Sequence, residues 1–430
     1  MALDRRSSSG TVATGAVVAL LFLVDNADRA LMATSLPLIG DEFGVGAGQL
    51  SWLVGGFALT GVLTQIPGGL IADRFGPGRV LTLEFLVWAV LAAATGLSAT
   101  YLHLVVFRLL GGMVAGALVP NVFKALSERS TRRGRTVAVG LVIACNLVAG
   151  ALVPLLVAPS VGGLGWRTTL LILAAVCGAT AIVVYGVLGA RRRPADDQDD
   201  PVPEEAEARG GPALPTALTA ALRSPLIWGF AALYCCTNML SFGVVSWMPA
   251  YLVRERGVAI GDTGLATVVP LTAMSLTAVL GGVLFTRWFA ARPRVLAVPA
   301  LLAGTGFLGL MIGAGSLTEF IVFQALALCA SGLAEVTIIA TIVRAVPPEL
   351  TGSGIGVLMT GGQLAGVLAP LGMGMLADRY SFTAAFALLM ATTFTSALAF
   401  LLVRTGPVLN PLSGRLDGHR RAAGRGQVVS

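Results

Sequence analysis

Long apolar runs separated by short polar stretches follow one another along the whole sequence, without the alternation typical of strands. A helix of ~20 apolar residues crosses a bilayer core about 30 Å thick. Backbone groups in lipid must be satisfied within the segment, so these runs are predicted to be helices. Twelve of them occur, near 12–35, 48–72, 80–99, 101–126, 136–158, 167–190, 225–252, 264–286, 295–314, 318–343, 353–377 and 383–403. The pattern predicts an all-α integral membrane protein with twelve transmembrane helices.

A change in composition divides the sequence into two halves. Residues 191–223 begin with three arginines, continue through an acidic run and contain several Pro and Gly residues. Such a stretch cannot bury a core, and we expect a mobile cytoplasmic linker there. Residues 1–190 and 224–404 then form two six-helix halves, and residues 405–430 form a polar, basic cytoplasmic tail.

The basic residues indicate the topology of the protein. The formal net charge is +7, but most Lys and Arg residues fall in alternate loops, which are cytoplasmic if the N-terminus is inside. The sequence therefore predicts a multi-pass protein of the cell membrane with both termini in the cytoplasm. The charge is explained by topology and not by a nucleic-acid partner. We expect a monomer in the lipid bilayer.

Residues suited to catalysis or metal binding are scarce. Only two His residues occur, and the five Cys residues lie inside predicted spans without metal-ligand spacing. No nucleophile–base pair, metal cluster or nucleotide-binding loop is evident in the sequence. We therefore expect no enzymatic activity, no cofactor and no metal, and a membrane enzyme or a non-transporting sensor has little support.

A short stretch between the second and third runs combines charge, glycine and proline. Its glycines and Pro77 predict a tight reversal between two helices. We expect Asp73 to gate the protein by accepting N–H groups at a helix N-terminus near Gly352 and Gly354. The stretch resembles the loop between helices 2 and 3 of the major facilitator superfamily, whose pattern runs Gly-x-x-Ala-Asp-Arg-x-Gly-x-x-Arg. Gly78 departs from the family, and the residues that fit are Gly69, Ala72, Asp73, Arg74, Gly76 and Arg79.

The second half contains a faint repeat of this stretch. Residues 281–287 resemble residues 68–74, with Thr286 in the place of Asp73. Parallel six-helix halves that hold a substrate between them near the midplane are a known transporter architecture. The resemblance thus implies a major facilitator fold that works by rocking of its two pseudo-symmetric halves.

Charged residues interrupt the first apolar run. Asp25, Asp28 and Arg29 lie a little past its middle, where each ionised side chain costs about 2.5–3.5 kcal/mol on insertion scales. Asp25 and Arg29 are four residues apart and can pair on one helix face. Asp28 is then left to exchange a proton unless Arg29 or Arg108 lies close. The alternative is a buried ion-pair network without a transport role.

This region resembles the anion:cation symporter branch of the superfamily, in which helix 1 carries a polar run that ends in Asp-Arg. The resemblance implies that Arg29 binds a substrate anion and that Asp28 couples protons. In the fourth run Arg108 and Pro120 fit the branch pattern, but Ala115 stands where the branch has an acid. Arg108 either faces the cavity or extends to the membrane interface.

Polar residues in the second half add further candidates. The seventh run contains Asn238 and ends in a Trp-x-Pro-x-Tyr-Leu motif, as in the branch; Trp247 and Tyr251 are equally suited to anchoring at the interface. Glu335 lies deep in the tenth run. It is a functional candidate because a carboxyl group inside a membrane span costs free energy. Gln363 in the eleventh run either binds substrate or joins helices.

These observations favour a secondary active transporter that moves a small organic anion together with protons. The expected substrate-binding residues are Arg29, Arg108, Asn238 and Gln363, and the expected proton-coupling residues are Asp28, Asp25 and Glu335. The alternative is proton-driven efflux of an amphiphilic small molecule or drug, which is favoured by the missing acid at Ala115.

Overall fold

The computed structural model describes residues 2–127, 132–189, 219, 222–346 and 351–402, which are almost entirely helical and contain no strand. The first half comprises α1 (Ala2–Phe43), α2 (Ala47–Phe75), α3 (Pro77–Gly96), α4 (Tyr101–Ala115), α5 (Leu118–Ser127), α6 (Arg132–Leu164) and α7 (Trp166–Leu188). The second comprises α8 (Pro225–Arg256), a 3-10 turn (Ile260–Asp262), α9 (Thr263–Leu284), a π-helical turn (Phe285–Phe289), α10 (Pro293–Ile312), α11 (Leu317–Ala345), α12 (Thr351–Arg379) and α13 (Phe382–Leu402).

Together these helices form twelve rods within the described residues, because α4 and α5 belong to one rod and the flanking turns extend α9. Ten rods in the described ranges are long and apolar enough to cross a membrane. The other two are α1, which carries charges, and α6, whose shorter apolar part is Val148–Leu164. The predicted fold class is confirmed. Helix α1 is longer at both ends than its predicted apolar run, because its polar ends are also helical.

The predicted division into parts stays a prediction. Nearly all of the linker 191–223 and all of the tail 405–430 lie outside the described residues.

The same helix pairs pack in both halves. Helix α1 packs on α6 as α8 packs on α12, α2 packs on α4 as α9 packs on α11, and α3 packs on α7 as α10 packs on α13. The repeated stretches also occupy matching places. Gly68 lies against Ala117 of the fourth rod, and Gly281 lies against Leu333 of α11. This packing supports the internal repeat.

Small residues bring α2 and α4 close together. A Cβ atom at Gly112 would overlap the carbonyl oxygen of Phe57, and one at Gly116 would overlap that of Gly61. Close approach also lets Thr60 Oγ1 donate a hydrogen bond to the carbonyl of Leu109, at 2.8 Å. Glycines at this spacing allow membrane helices to meet at their backbones.

The fourth rod changes course between α4 and α5. Gly116 ends α4, and Pro120 lies in the first turn of α5, where its missing N–H costs no helical hydrogen bond. The next residue, Asn121, is fully buried. The break therefore positions a polar side chain inside the first half.

The two halves meet tightly at one end of the molecule. The start of α2 packs on the end of α12: Gly55 lies against Leu371, and Gly374 lies against Ala47 and Ser51. Where α2 continues toward Phe75, its large apolar side chains are exposed. The predicted topology places this tight end outside the cell.

Ionic contacts reinforce this tight end. Asp41 at the end of α1 lies 3.6 Å from Arg254 at the end of α8, which links the two halves. Glu42 accepts hydrogen bonds from Trp166 Nε1 at 2.8 Å and from the Arg167 guanidinium at 2.7 and 3.0 Å. These bonds fasten the end of α1 to the start of α7.

The predicted gating stretch forms a sharp reversal. Gly76 has φ of 87°, a value that favours glycine, and its N–H donates to the carbonyl of Ala72 at 2.9 Å. A Cβ atom at Gly78 would overlap the carbonyl of Leu188, which explains the departure from the family pattern. Gly69 faces Pro120 across a gap wide enough for a Cβ atom.

The charged members of this stretch do not test the gating prediction. Arg74 and Arg79 are exposed, and the Asp73 side chain is outside the described part of the structure. The gating roles of Gly69, Asp73, Arg74, Gly76 and Arg79 stay predictions.

The aromatic motif that ends the seventh rod is buried, so the interface-anchor alternative is wrong. Trp247 Nε1 donates to the carbonyl of Pro370 at 3.0 Å. The ring of Tyr251 packs against Phe320 and Phe386, at centroid distances of 5.3 and 5.0 Å. These residues join α8 to α11, α12 and α13.

Candidate functional site

Helix α1 carries an ion pair that is partly open to its surroundings. Arg29 Nε lies 3.1 Å from each carboxylate oxygen of Asp25, one turn earlier. The Arg29 side chain is 46% exposed, whereas that of Asp25 is 10% exposed. Asp25 occupies only the Nε side of the guanidinium. Within the described residues both Nη groups of Arg29 have no hydrogen-bond partner.

A second ion pair joins α1 to α4 and is closed to its surroundings. Arg108 Nη1 lies 3.0 and 2.8 Å from the two carboxylate oxygens of Asp28. The two side chains are 5% and 1% exposed. Arg108 Nε also approaches the carbonyl of Leu53 on α2, at 3.3 Å. Arg108 therefore lies inside the protein. It is the close cation of Asp28, a possibility that the sequence left open.

One aromatic ring connects the two pairs. The guanidinium carbon of Arg108 is 4.3 Å from the centroid of Phe57, and that of Arg29 is 5.2 Å from the same ring. Both distances fall within the range of cation–π attraction. The two ion pairs therefore lie against the same ring.

A third carboxyl group is buried nearby, and no cation pairs with it among the described residues. Glu84 on α3 is 6% exposed, and it accepts a hydrogen bond from Asn121 Nδ2 at 3.3 Å. In the described part of the chain, Glu84 Oε1 and Asn121 Oδ1 are buried without a hydrogen-bond partner. Glu84 also lies close enough to Asp25 for their charges to interact.

The second half holds one carboxyl group between α8 and α11. Glu335 accepts a hydrogen bond from Ser241 Oγ at 3.2 Å and a longer one from Ser331 Oγ at 3.5 Å. Both donors are neutral hydroxyl groups. Glu335 has no ion-pair partner among the residues that the structure describes.

The two predicted amide ligands differ in their surroundings. Asn238 is buried, and its Nδ2 donates to the carbonyl of Tyr234 one turn earlier, at 2.9 Å. Gln363 on α12 is exposed. The structure therefore groups Arg29, Arg108, Asp25 and Asp28 in the first half and places Asn238, Glu335 and Gln363 separately in the second half.

Glu84 and Phe57 were not predicted from the sequence as neighbours of the two ion pairs. The sequence carried a signal for Glu84, because it is the only charged residue in the run 80–99. The rule that singled out Glu335, the high cost of a lone carboxyl in a membrane span, applies equally to it. Phe57 carried no such signal, because aromatic residues are common in apolar runs.

A family comparison agrees with this arrangement of helices. The sequence matches the family described as Major Facilitator Superfamily over residues 18–311 and again over residues 251–428. The chain belongs to the Major Facilitator Superfamily. It is a multi-pass membrane transporter and not an enzyme, as the sequence predicted.

Superfamily members with curated descriptions are similar over nearly the whole chain. A probable sulfoacetate transporter of Cupriavidus necator is 27% identical over 90% of this chain and 92% of its own length. A D-galactonate transporter of Escherichia coli is 24% identical over 87% and 91% of the two chains. A hexuronate transporter of Escherichia coli is 23% identical over 90% and 92%.

Solved structures of the superfamily share the fold. A bacterial homologue of the human lysosomal transporter Spinster, in an inward-facing and unoccupied conformation, has a TM-score of 0.76 at 17% identity and covers 92% of this chain and 95% of its own. A D-xylose–proton symporter has a TM-score of 0.71 at 13% identity, over 92% and 99% of the two chains.

Proposed function

We propose that this protein is a symporter that moves a small organic anion together with protons. The observation that carries the proposal is the exposure and the hydrogen bonding of Arg29. The Arg29 side chain is 46% exposed, and Asp25 holds its guanidinium from the Nε side, which leaves the two Nη groups available to a ligand. A guanidinium fork binds carboxylate or sulfonate oxygens through two parallel hydrogen bonds.

Binding and proton uptake are coupled through Asp25 in this proposal. An anion at Arg29 competes with Asp25 for the guanidinium, and the displaced carboxylate favours a proton. The change in charge acts through space on Asp28, whose pair with Arg108 holds α1 against α4. Asp28 releases or takes a proton when this pair opens. Three similar transporters have anions in their names, namely sulfoacetate, galactonate and hexuronate, which supports this substrate class.

The second half completes the site in this proposal. Asn238 and Gln363 contact the far end of the substrate. Glu335 is a further proton carrier, because its partners in the described part of the chain are hydroxyl groups. Rocking of the halves about the tight end then exposes the site alternately, with the Asp73 loop as the gate on the open side.

The proposal is tested by uptake into proteoliposomes with an imposed pH gradient. The substrates are sulfoacetate, galactonate, glucuronate and a lipophilic cation. An acidic exterior should drive accumulation of at least one anion. Arg29→Gln should raise its half-saturation concentration about a hundredfold, since hydrogen bonds to a charged group contribute about 3 kcal/mol. Arg344→Gln, which removes an exposed arginine of α11, is the matched control and should retain transport.

Two results would overturn the proposal. If anion uptake did not depend on the pH gradient, the proposed proton coupling would be wrong. Expulsion of the lipophilic cation, without transport of any anion, would replace symport by efflux of an amphiphilic compound.

A further inference from the structure

We propose that Glu84 and Asn121 form a proton-binding site, in which a proton on Glu84 is shared with the side-chain amide of Asn121. This site lies between α3 and α5 and is distinct from the ion pairs that hold Asp25 and Asp28. It assigns a function to a carboxyl group that the anion site does not use.

The hydrogen bonding of the pair is incomplete by one donor. Asn121 Nδ2 donates to Glu84 Oε2 at 3.3 Å. The two remaining side-chain oxygens, Glu84 Oε1 and Asn121 Oδ1, are both acceptors and are both buried without a partner in the described residues. A proton on Glu84 Oε1 supplies a donor for Asn121 Oδ1. The acid and the amide then exchange two reciprocal hydrogen bonds, and both unsatisfied oxygens are accounted for.

Because the pair is buried, the state without a proton on Glu84 is costly. Glu84 is 6% exposed and Asn121 is fully buried. An unsatisfied buried polar atom is costly, and an isolated buried carboxylate is more costly still. The neutral acid is therefore the form that this environment accommodates.

The charges around Glu84 also favour the neutral acid. Asp25 on α1 is an acidic neighbour, and its charge opposes a second negative charge on Glu84. Arg108 on α4 is bound to Asp28 and is not available to Glu84. Glu84 has no cation within ion-pair distance in the described part of the chain. The other titratable side chains described on the packed helices are Arg74 on α2, Tyr101 and His103 on α4, Lys124 on α5, and Arg167, Cys177 and Tyr185 on α7.

The position of Glu84 next to Asp25 connects its proton to the anion site. Asp25 is neutralised by Arg29 while the anion site is empty. When an anion takes the guanidinium, Asp25 loses its cation. Until Asp25 itself takes up a proton, its charge acts more strongly on Glu84, which keeps its proton. The transport consequence rests on the proposed symport, whereas proton binding itself does not.

Proton binding is tested on the purified full-length protein by infrared difference spectroscopy between acidic and alkaline buffers. A carbonyl band of a protonated carboxyl group should appear in the wild type and be lost in Glu84→Gln. The amide introduced by this substitution reproduces both hydrogen bonds of the protonated acid, so the variant should fold. Glu255→Gln, at an exposed position near the end of α8, should keep the band.

A second variant decides the role of Asn121. Asn121→Ala removes the shared hydrogen bonds, so the Glu84 band should remain but move in frequency. An unchanged spectrum in Glu84→Gln would overturn the proton site, and an unmoved band in Asn121→Ala would overturn the sharing. If Glu84→Gln does not yield monodisperse protein, the movement of the band in Asn121→Ala still decides the assignment.

Transport tests the link to the anion. Loss of one co-transported proton should lower accumulation by Glu84→Gln about tenfold for each unit of pH gradient, whereas exchange of anion for anion should continue. Accumulation equal to that of the wild type would overturn the link. If no anion is transported by the wild type, the proposed symport fails, while the infrared band still decides whether Glu84 binds a proton.

Discussion

At the scale of single residues, the two ion pairs of α1 have different exposures and different consequences. Arg29 and Asp25 form a half-open pair on one helix, and Arg108 and Asp28 form a closed pair between two helices. A buried charge that loses its partner destabilises a protein strongly, whereas an exposed pair contributes little.

This difference predicts the effect of removing either carboxylate. Asp28→Asn leaves the guanidinium of Arg108 buried without a counter-ion, and we expect a loss of about 3–5 kcal/mol of stability. Asp25→Asn is the matched control and should cost about 1 kcal/mol or less, because Arg29 is half exposed. The midpoint of thermal unfolding in detergent measures both effects.

The double variant Asp28→Asn/Arg108→Gln separates charge from packing. It removes both members of the closed pair, so it should recover most of the stability lost in Asp28→Asn. If the double variant is as unstable as the sum of its single variants, the pair does not act as a charge pair.

The sequence supported one of these pairs and not the other. Asp25 and Arg29 are four residues apart, a spacing that places them on one helix face. Asp28 and Arg108 are 80 residues apart, so their contact depends on how α4 crosses α1. No local pattern carries that information. The pairing of Glu84 with Asn121 depends in the same way on the break before α5.

At the scale of helices, glycines decide how closely α2 and α4 approach. We expect Gly112→Ala to destabilise the protein by about 1–3 kcal/mol, because the added Cβ atom meets the backbone of Phe57 and the helices must separate. Thermal unfolding measures the effect.

The neighbouring glycine provides a matched control. A Cβ atom at Gly111 would be 3.7 Å from the ring of Phe57, an ordinary contact. Gly111→Ala should therefore keep the wild-type midpoint or raise it, since alanine is favoured over glycine in helices by about 0.5–1 kcal/mol. Equal losses at both positions would show that close packing is not the cause.

Helix positions were the most predictable part of the structure. The ends of most rods lie within a few residues of the apolar runs, because a hydrophobic run of spanning length permits little else in a bilayer. The break between α4 and α5 was harder to predict. Gly116 and Pro120 were visible in the sequence, but most of the other prolines inside the spans leave their helices continuous.

At the scale of the whole molecule, the state of the transporter depends on the tight end. Gly55 lets the start of α2 lie against Leu371 of α12. We expect Gly55→Leu to wedge this end apart and to shift the population toward the state that opens there. A cysteine at position 51 reports the change, because Ser51 is fully buried at this contact.

The measurement is the rate at which a bulky maleimide labels Ser51→Cys in purified protein. Labelling should be slow in this variant alone and several-fold faster when Gly55→Leu is added. Gly178→Leu is the control, since no atom lies within 4 Å of a Cβ there, and it should leave the rate unchanged. Equal rates in all three proteins would contradict the closed contact.

Glu42 bears on the acid tolerance of the transporter. Partial burial opposes its ionisation, but hydrogen bonds from Arg167 and Trp166 outweigh this effect and lower the pKa of Glu42 below its usual 4.5. A carboxyl group of this kind stabilises the fold above its unfolded pKa, and the contribution is lost as the pH falls through the lower folded value. The predicted topology turns Glu42 toward the medium whose acidity drives uptake. A more acidic medium, which drives uptake more strongly, therefore weakens the junction of α1 and α7 only at a lower pH than it would with a glutamate of ordinary pKa.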